Sequence, residues 1–222
     1  MSIVIHHEIL SFADMPQLAR KCERTVLLLR HSMRQSLING SDPGLTPEGT
    51  LYATQCGKFL SGLEDVNFGA SPRKRTIETA QALMSGGGFP ASDIDTYPQI
   101  RDTALFTRPE NLDIAIRNGS VPEIAQAYFY TGKAPGTIDL EIFSRTLLDF
   151  LTQNEFKTRN TILLSHDIIC VSLLIPLKVY PFKLDDWCGY IQGAALLLID
   201  GVWHLHYIVP DLSQKQPSSL FI

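Results

Sequence analysis

No two of the four cysteines stand in a C-x-x-C spacing. Cys22, Cys56, Cys170 and Cys188 are scattered through 222 residues. That scatter speaks against a disulfide framework or a thiolate metal site, and for reduced thiols in a cytoplasmic protein. Long apolar runs are missing as well. The longest are Ala194–Ile199 and the stretch Ile168–Leu177, both short of the ~20 residues a membrane helix needs, so no membrane partner is expected. The opening MSIVIHHEIL has no basic segment ahead of an apolar core, so a signal peptide is not expected either. An excess of positive charge is lacking too. The chain has 19 Lys and Arg against 23 Asp and Glu, a net charge of −4, which argues against nucleic acid as a partner. Internal repeats and low-complexity tracts are absent. What remains is a chain of ordinary apolar content, expected to form one domain over residues 1–222.

The chemistry concentrates first in Thr25–Arg34, TVLLLRHSMR. Five residues, Thr25 to Leu29, run without a polar break and read as a short strand buried on both faces of a parallel sheet. The strand stops at Arg30-His31, and Arg34 follows. In open α/β sheets ligands bind just beyond the carboxyl ends of the strands. Guanidiniums grip phosphate or carboxylate oxygens as planar forks. An acidic chain that gathers arginines at one point is suited to a small anion held locally.

The rest of the sequence supplies an α/β rhythm. A loop, SLINGSDPGL, leads to Thr46-Pro47, a capping residue with proline at the first helical position; helical spacing of Tyr52, Cys56, Phe59, Leu60 and Leu63 carries that helix to about Gly62. Val66–Ala70 reads as a strand, and Ser71-Pro72 repeats the cap-plus-proline signal ahead of a helix to about Met84, with Arg75 in its first turn. Asp93–Tyr97 is a weak strand. Residues 103–137, broken by proline and glycine, read as an insertion that serves as a lid or specificity segment, with a helical piece near Pro122–Tyr130. Ile138–Gln153 is an amphipathic helix. Thr161–Ser165 is another buried strand, again ending in histidine, His166-Asp167. Asp200-Gly201 between Ala194–Ile199 and Val202–Val209 predicts a hairpin. Residues 1–24 suggest only a lead-in helix near Met15–Lys21, and the tail after Pro210 reads as loose. The expected fold is a three-layer α/β/α sandwich with a mostly parallel sheet and a C-terminal edge hairpin.

If the strands ending at His31 and His166 are sheet neighbours, about 5 Å apart, their imidazoles face one crevice together with Arg30 and Arg34. Arg75 joins them near a helix N-terminus, which itself favours anions. Such a convergence of positive groups suits phosphoryl transfer, where catalysis is largely positioning and charge neutralisation.

Four motifs carry a resemblance: Arg30-His31 with Arg34, LTPEG at Leu45–Gly49, SPRKRTIETA at Ser71–Ala80, and SHD at Ser165–Asp167. In this order they resemble the histidine phosphatase superfamily, the phosphoglycerate mutase and acid phosphatase group, over about residues 25–200. The resemblance implies a phosphatase that hydrolyses phosphomonoesters without a metal or cofactor. It implies His31 as the nucleophile that becomes phosphohistidine. Arg30, Arg34 and Arg75 would clamp the phosphate, and His166 would bind the phosphoryl oxygens. The proton donor is Asp102, by its place in Ile100-Arg101-Asp102, or Asp167, by its place after His166; spacing favours Asp102. Ser32 stands where relatives usually carry glycine, and its hydroxyl is a candidate substrate contact. A phosphoglycerate-type mutase and a weakly active phosphate- or partner-binding member are the alternatives. The substrate is expected to be a phosphorylated small molecule, or else a phosphoprotein; neither it nor the oligomeric state is fixed by any motif. His204 and His206 share one strand face but lack a third ligand nearby, His6-His7 reads as a solvated pair, and Arg73 and Lys74 as surface charges.

Overall fold

The computed structural model describes residues 2–36, 42–118, 121–183 and 186–211. Its elements run β1 (Ile3–Ser11), α1 (Met15–Lys21), β2 (Arg24–Arg30), α2 (Pro47–Lys58), β3 (Val66–Ala70), α3 (Lys74–Gly87), β4 (Asp95–Thr96), α4 (Glu110–Arg117), α5 (Val121–Thr131), α6 (Leu140–Gln153), β5 (Asn160–Ser165), α7 (Asp167–Leu174), β6 (Gly193–Ile199) and β7 (Val202–Val209). The strands form one sheet in the order β1-β7-β6-β2-β5-β3-β4. β2, β5, β3 and β4 pair in parallel, as do β1 and β7, while β6 is antiparallel to both of its neighbours.

Two apolar layers cover the sheet. Val26 and Leu28 of β2 turn to one face, where Leu163, Leu196 and residues of α6 and α7 pack. Leu27 and Leu29 turn to the other, against Phe68, Ile162 and residues of α1, α2 and α3. The alternation follows from the period of two along a strand, and it explains why β2 reads as an unbroken apolar run. The sandwich is therefore three-layered, α/β/α. The hairpin of β6 and β7 forms as the Asp-Gly pair predicts: Asp200 and Gly201 both have positive φ, 49° and 72°, as a type I′ turn requires. Outside it lies β1, paired with β7, so residues 1–24 contribute a strand that their mixed composition did not announce.

Three local readings change. Helix α3 starts at Lys74 with Arg73 as N-cap, and no side chain caps it; the Ser71 hydroxyl is engaged elsewhere, as described below. The segment 103–137 carries two helices, α4 and α5, rather than one, and its Leu105, Phe106 and Tyr128 are buried in the core. Helix α6 starts at Leu140 rather than Ile138, and Asp139, inside the predicted span, caps it by accepting from the Glu141 and Ile142 amides. Part of the loop after Arg34 and the tail beyond residue 211 lie outside the described residues.

Candidate active site

Register brings the two histidines together. β2 and β5 pair Arg30 with Ser165, so the next residue on each strand, His31 and His166, leaves the sheet at the same level. Their ring centroids are 5.4 Å apart at 69°, and both rings are buried.

His31 is fixed from behind. Its Nδ1 lies 2.6 Å from the Ser32 carbonyl. A carbonyl only accepts, so Nδ1 carries the proton and Nε2 keeps its lone pair. Burial pushes the His31 pKa well below 6.5, reinforced by His166, Arg75 and Arg30 and opposed by the Ser32 carbonyl. The ring is thus neutral at pH 7, with its unprotonated nitrogen available as a nucleophile. Ser32 holds this turn in place. Its amide donates to Thr79 Oγ1 at 3.0 Å and its hydroxyl to the Gly49 carbonyl at 2.7 Å. Both of its donors face the scaffold. Gly49, in the LTPEG motif, permits this: a Cβ there would sit 2.2 Å from the Met33 carbonyl oxygen.

Two guanidiniums flank the pair. Arg30 donates from Nη1 to the Cys188 carbonyl at 2.6 Å, and its Nη2 meets Asp167 Oδ2 at 3.3 Å. Arg75 donates from Nη2 to Asp102 Oδ2 at 2.8 Å and reaches Asp42 Oδ1 from Nη1 at 3.4 Å. The inner Nε–H of each is buried, with no hydrogen-bond partner among the described residues. Buried unpaired donors on cations are costly, and two of them beside an imidazole describe a site built for an anion. Arg34 Nη1 donates to the Gln35 carbonyl at 3.0 Å, and its charge bears on Arg75.

Both candidate acids are present, one on each clamp arginine. Asp102 Oδ1 accepts from Arg73 Nε at 3.1 Å and Nη2 at 3.0 Å, and Oδ2 pairs with Arg75. Asp167 begins α7; its Oδ1 accepts from the Ile168 amide at 2.8 Å and its Oδ2 from the Trp187 indole at 3.2 Å. Sequence reasoning missed Arg73, read as a surface charge, and Tyr190, whose ring lies 4.4 Å from the Arg30 guanidinium. Nothing local marks Tyr190, which arrives from the loop before β6. Arg73 carried a signal in its place inside the Ser71 motif.

Away from the site, β1 brings a third imidazole to His204 and His206. His6 Nε2 lies 2.9 Å from His204 Nδ1, and its ring stacks on His206 at 4.1 Å and 8°. Stacked rings hold their lone pairs in parallel planes, and no group of three or more such side chains among the described residues has the arrangement of a metal site. The four cysteines are free and buried. No helix of the described residues is long and apolar enough to cross a membrane.

Residues 26–135 match the model of the histidine phosphatase superfamily, branch 1. A 65-residue stretch is 37% identical to human 6-phosphofructo-2-kinase/fructose-2,6-bisphosphatase 4, covering 27% of this chain and 14% of that protein. The match thus spans about a seventh of that relative's length. Among solved structures, a phosphoglycerate mutase from Bacillus anthracis superposes with a TM-score of 0.59 at 19% identity, covering 87% of this chain and 96% of that one. A mycobacterial glucosyl-3-phosphoglycerate phosphatase gives 0.55 at 18%, covering 83% and 98%. A phosphoserine phosphatase from Entamoeba histolytica gives 0.52 at 19%, covering 86% and 98%. At such identities the structures speak for the fold, and the family model speaks for the sequence. The two agree, and the chain belongs to the histidine phosphatase superfamily.

Proposed function

We propose that the chain hydrolyses phosphomonoesters through a phosphohistidine on His31. One observation carries this reading: Arg30 and Arg75 each leave a buried Nε–H unpaired beside an imidazole whose Nε2 is free of its proton. A phosphoryl group supplies what that arrangement lacks, oxygens for the two guanidiniums and an electrophile for the nitrogen.

In the first half-reaction, His31 Nε2 attacks phosphorus and the bond to the ester oxygen breaks. That oxygen leaves with a proton from a carboxylic acid. Water then attacks phosphorus, the P–N bond breaks, the same carboxylate takes the water's proton, and inorganic phosphate departs. The guanidiniums neutralise the equatorial oxygens in both steps, the task a metal performs elsewhere. We assign the acid to Asp102. Its Oδ2 is held by Arg75, whose Nε–H is left for a phosphoryl oxygen, so the carboxyl stands beside the group that would bind the ester. Asp167 instead has Oδ1 on a helix N-terminal amide and Oδ2 on an indole N–H and Arg30, partners that hold it in place as a support for Arg30.

The substrate we infer is a small phosphorylated molecule, in keeping with the names of the structural relatives, and the setting is the cytoplasm, in keeping with four unpaired thiols. The insertion at 103–137 is assigned to substrate choice: Phe129 of α5 packs on Trp187 at 5.2 Å, and the Trp187 indole donates to Asp167. The test is hydrolysis of p-nitrophenyl phosphate with chelator present, by wild type and His31→Ala. Turnover lost in the variant supports the reading, and equal rates overturn it. Absence of turnover in both, with phosphate transfer between phosphoglycerate hydroxyls, would assign a mutase instead.

A further inference from the structure

Ser71 opens the motif that reads as a helix start, yet it caps nothing. It is fully buried. Its Oγ lies 2.8 Å from His166 Nε2 and 3.0 Å from Thr76 Oγ1. On the far side of the same imidazole, Nδ1 lies 3.2 Å from Arg75 Nη2.

The proton positions follow from what each group can do. A guanidinium has no acceptor, so Nδ1 must offer its lone pair to Arg75. In a neutral ring the proton then sits on Nε2, and Ser71 Oγ accepts it. The Ser71 hydrogen passes to Thr76 Oγ1, whose own hydrogen goes to the carbonyl of Ser71 at 2.8 Å or of Arg73 at 2.7 Å. Donation then runs in one direction, from Arg75 to His166, His166 to Ser71, Ser71 to Thr76 and Thr76 to a carbonyl.

We propose that Ser71 is a positioning residue that fixes His166 as its Nε2–H tautomer, so that His166 Nδ1 anchors the Arg75 guanidinium. This assignment rests on the phosphatase reading for its consequence but not for its geometry. Arg75 Nη2 has two hydrogens, and Asp102 Oδ2 and His166 Nδ1 take both. The guanidinium plane is thereby set, and Nε–H is left for the anion. His166 on this account holds Arg75 before it touches a phosphoryl oxygen.

The four arginines around His166 favour the neutral ring. Arg75 and Arg73 approach from α3 and its lead-in, Arg30 and His31 from β2, and Arg101 from the segment after β4. Asp102 reaches Arg75 and Arg73, and Asp167 is bound to Arg30. Burial first, then Arg75, Arg73, Arg30 and Arg101, push the His166 pKa well below 6.5.

The experiment is a nitrogen NMR spectrum of protein labelled with 15N-histidine, in wild type, Ser71→Ala and Thr76→Val. The expected wild-type His166 pattern, assigned by its loss in His166→Gln, is protonated Nε2 with bare Nδ1 at pH 7. In Ser71→Ala the pattern should become a mixture of tautomers, and kcat/KM should drop about tenfold or more, chiefly through KM as the Arg75 fork loses its anchor. Thr76→Val keeps shape and should move both readouts the same way by less, which also covers a Ser71→Ala protein that does not fold. A wild-type ring protonated on Nδ1, or a tautomer unchanged in both variants, overturns the proposal. The spectrum requires no turnover, so a failure of the phosphatase reading would show in the His31→Ala assay and not here.

Discussion

His31 and His166 stand edge to face with centroids 5.4 Å apart, and the His31 amide donates to the Ser165 carbonyl at 2.9 Å. The spacing of the two histidines is thus set by the last rung of a parallel ladder. Neither histidine is placed by a flexible loop. Sites on rigid elements hold their geometry best, and here two strands of the buried sheet end in the two histidines.

The two aspartates separate by experiment. Asp102→Asn should lower kcat by about 10²–10⁴ on an alkyl phosphate, whose leaving oxygen needs a proton, and far less on p-nitrophenyl phosphate, whose phenolate leaves without one. Asp167→Asn should act on both esters alike, mainly by raising KM, because it weakens the hold on Arg30. Steady-state kinetics on the two esters decides; a leaving-group dependence in Asp167→Asn alone would exchange the roles.

Trp187 should matter through one hydrogen. Its ring packs on Phe129 at 5.2 Å while Nε1 donates to Asp167 Oδ2. Trp187→Phe keeps most of the packing and removes the donor, a loss of about 1–3 kcal/mol for a bond to a charged acceptor. The expected result is a KM raised about fivefold or more with kcat less affected, read from initial rates. Unchanged KM would mean that Asp167 holds Arg30 without it.

Acid should weaken the β1 side of the sheet. Burial pushes the His206 pKa down to about 4, and it lowers that of His6 as well, with neighbouring imidazoles adding in both cases. The unfolded chain takes up these protons near pH 6.5, the folded chain only at lower pH. Between about 6.5 and 4 the unfolded state therefore binds more protons, and stability falls as pH falls. Urea midpoints measured over that interval should decline, and more shallowly in His206→Gln. Parallel declines in the two proteins would contradict this.

Much of the architecture was legible because it rests on period and punctuation. β2 and β5 announce themselves as apolar runs ending in histidine, and Asp200-Gly201 names its own turn. β1 was hidden because Ile3–Ser11 mixes polar and apolar residues, only partly buried at the edge of the sheet. At the site, the motif residues His31, Arg30, Arg75 and His166 could be found one by one. What a linear sequence cannot show is which partner satisfies which atom. Ser71 carries a helix-cap signature and serves an imidazole 95 positions away; Ser32 looked free and is fastened to Gly49; Arg34 belongs to the motif and donates to the Gln35 carbonyl. Arg73 looks like a surface charge until Asp102 is folded against it.

The most direct test of the account is to trap the phosphoenzyme. Wild type mixed with a phosphomonoester, quenched in base within the first turnovers and analysed by peptide mass spectrometry, should show a phosphoryl group on His31 that is stable to base and lost in acid. His31→Ala should show none. Turnover in wild type with no phosphorylated His31 at any quench time, or the phosphoryl group on another residue, would contradict it.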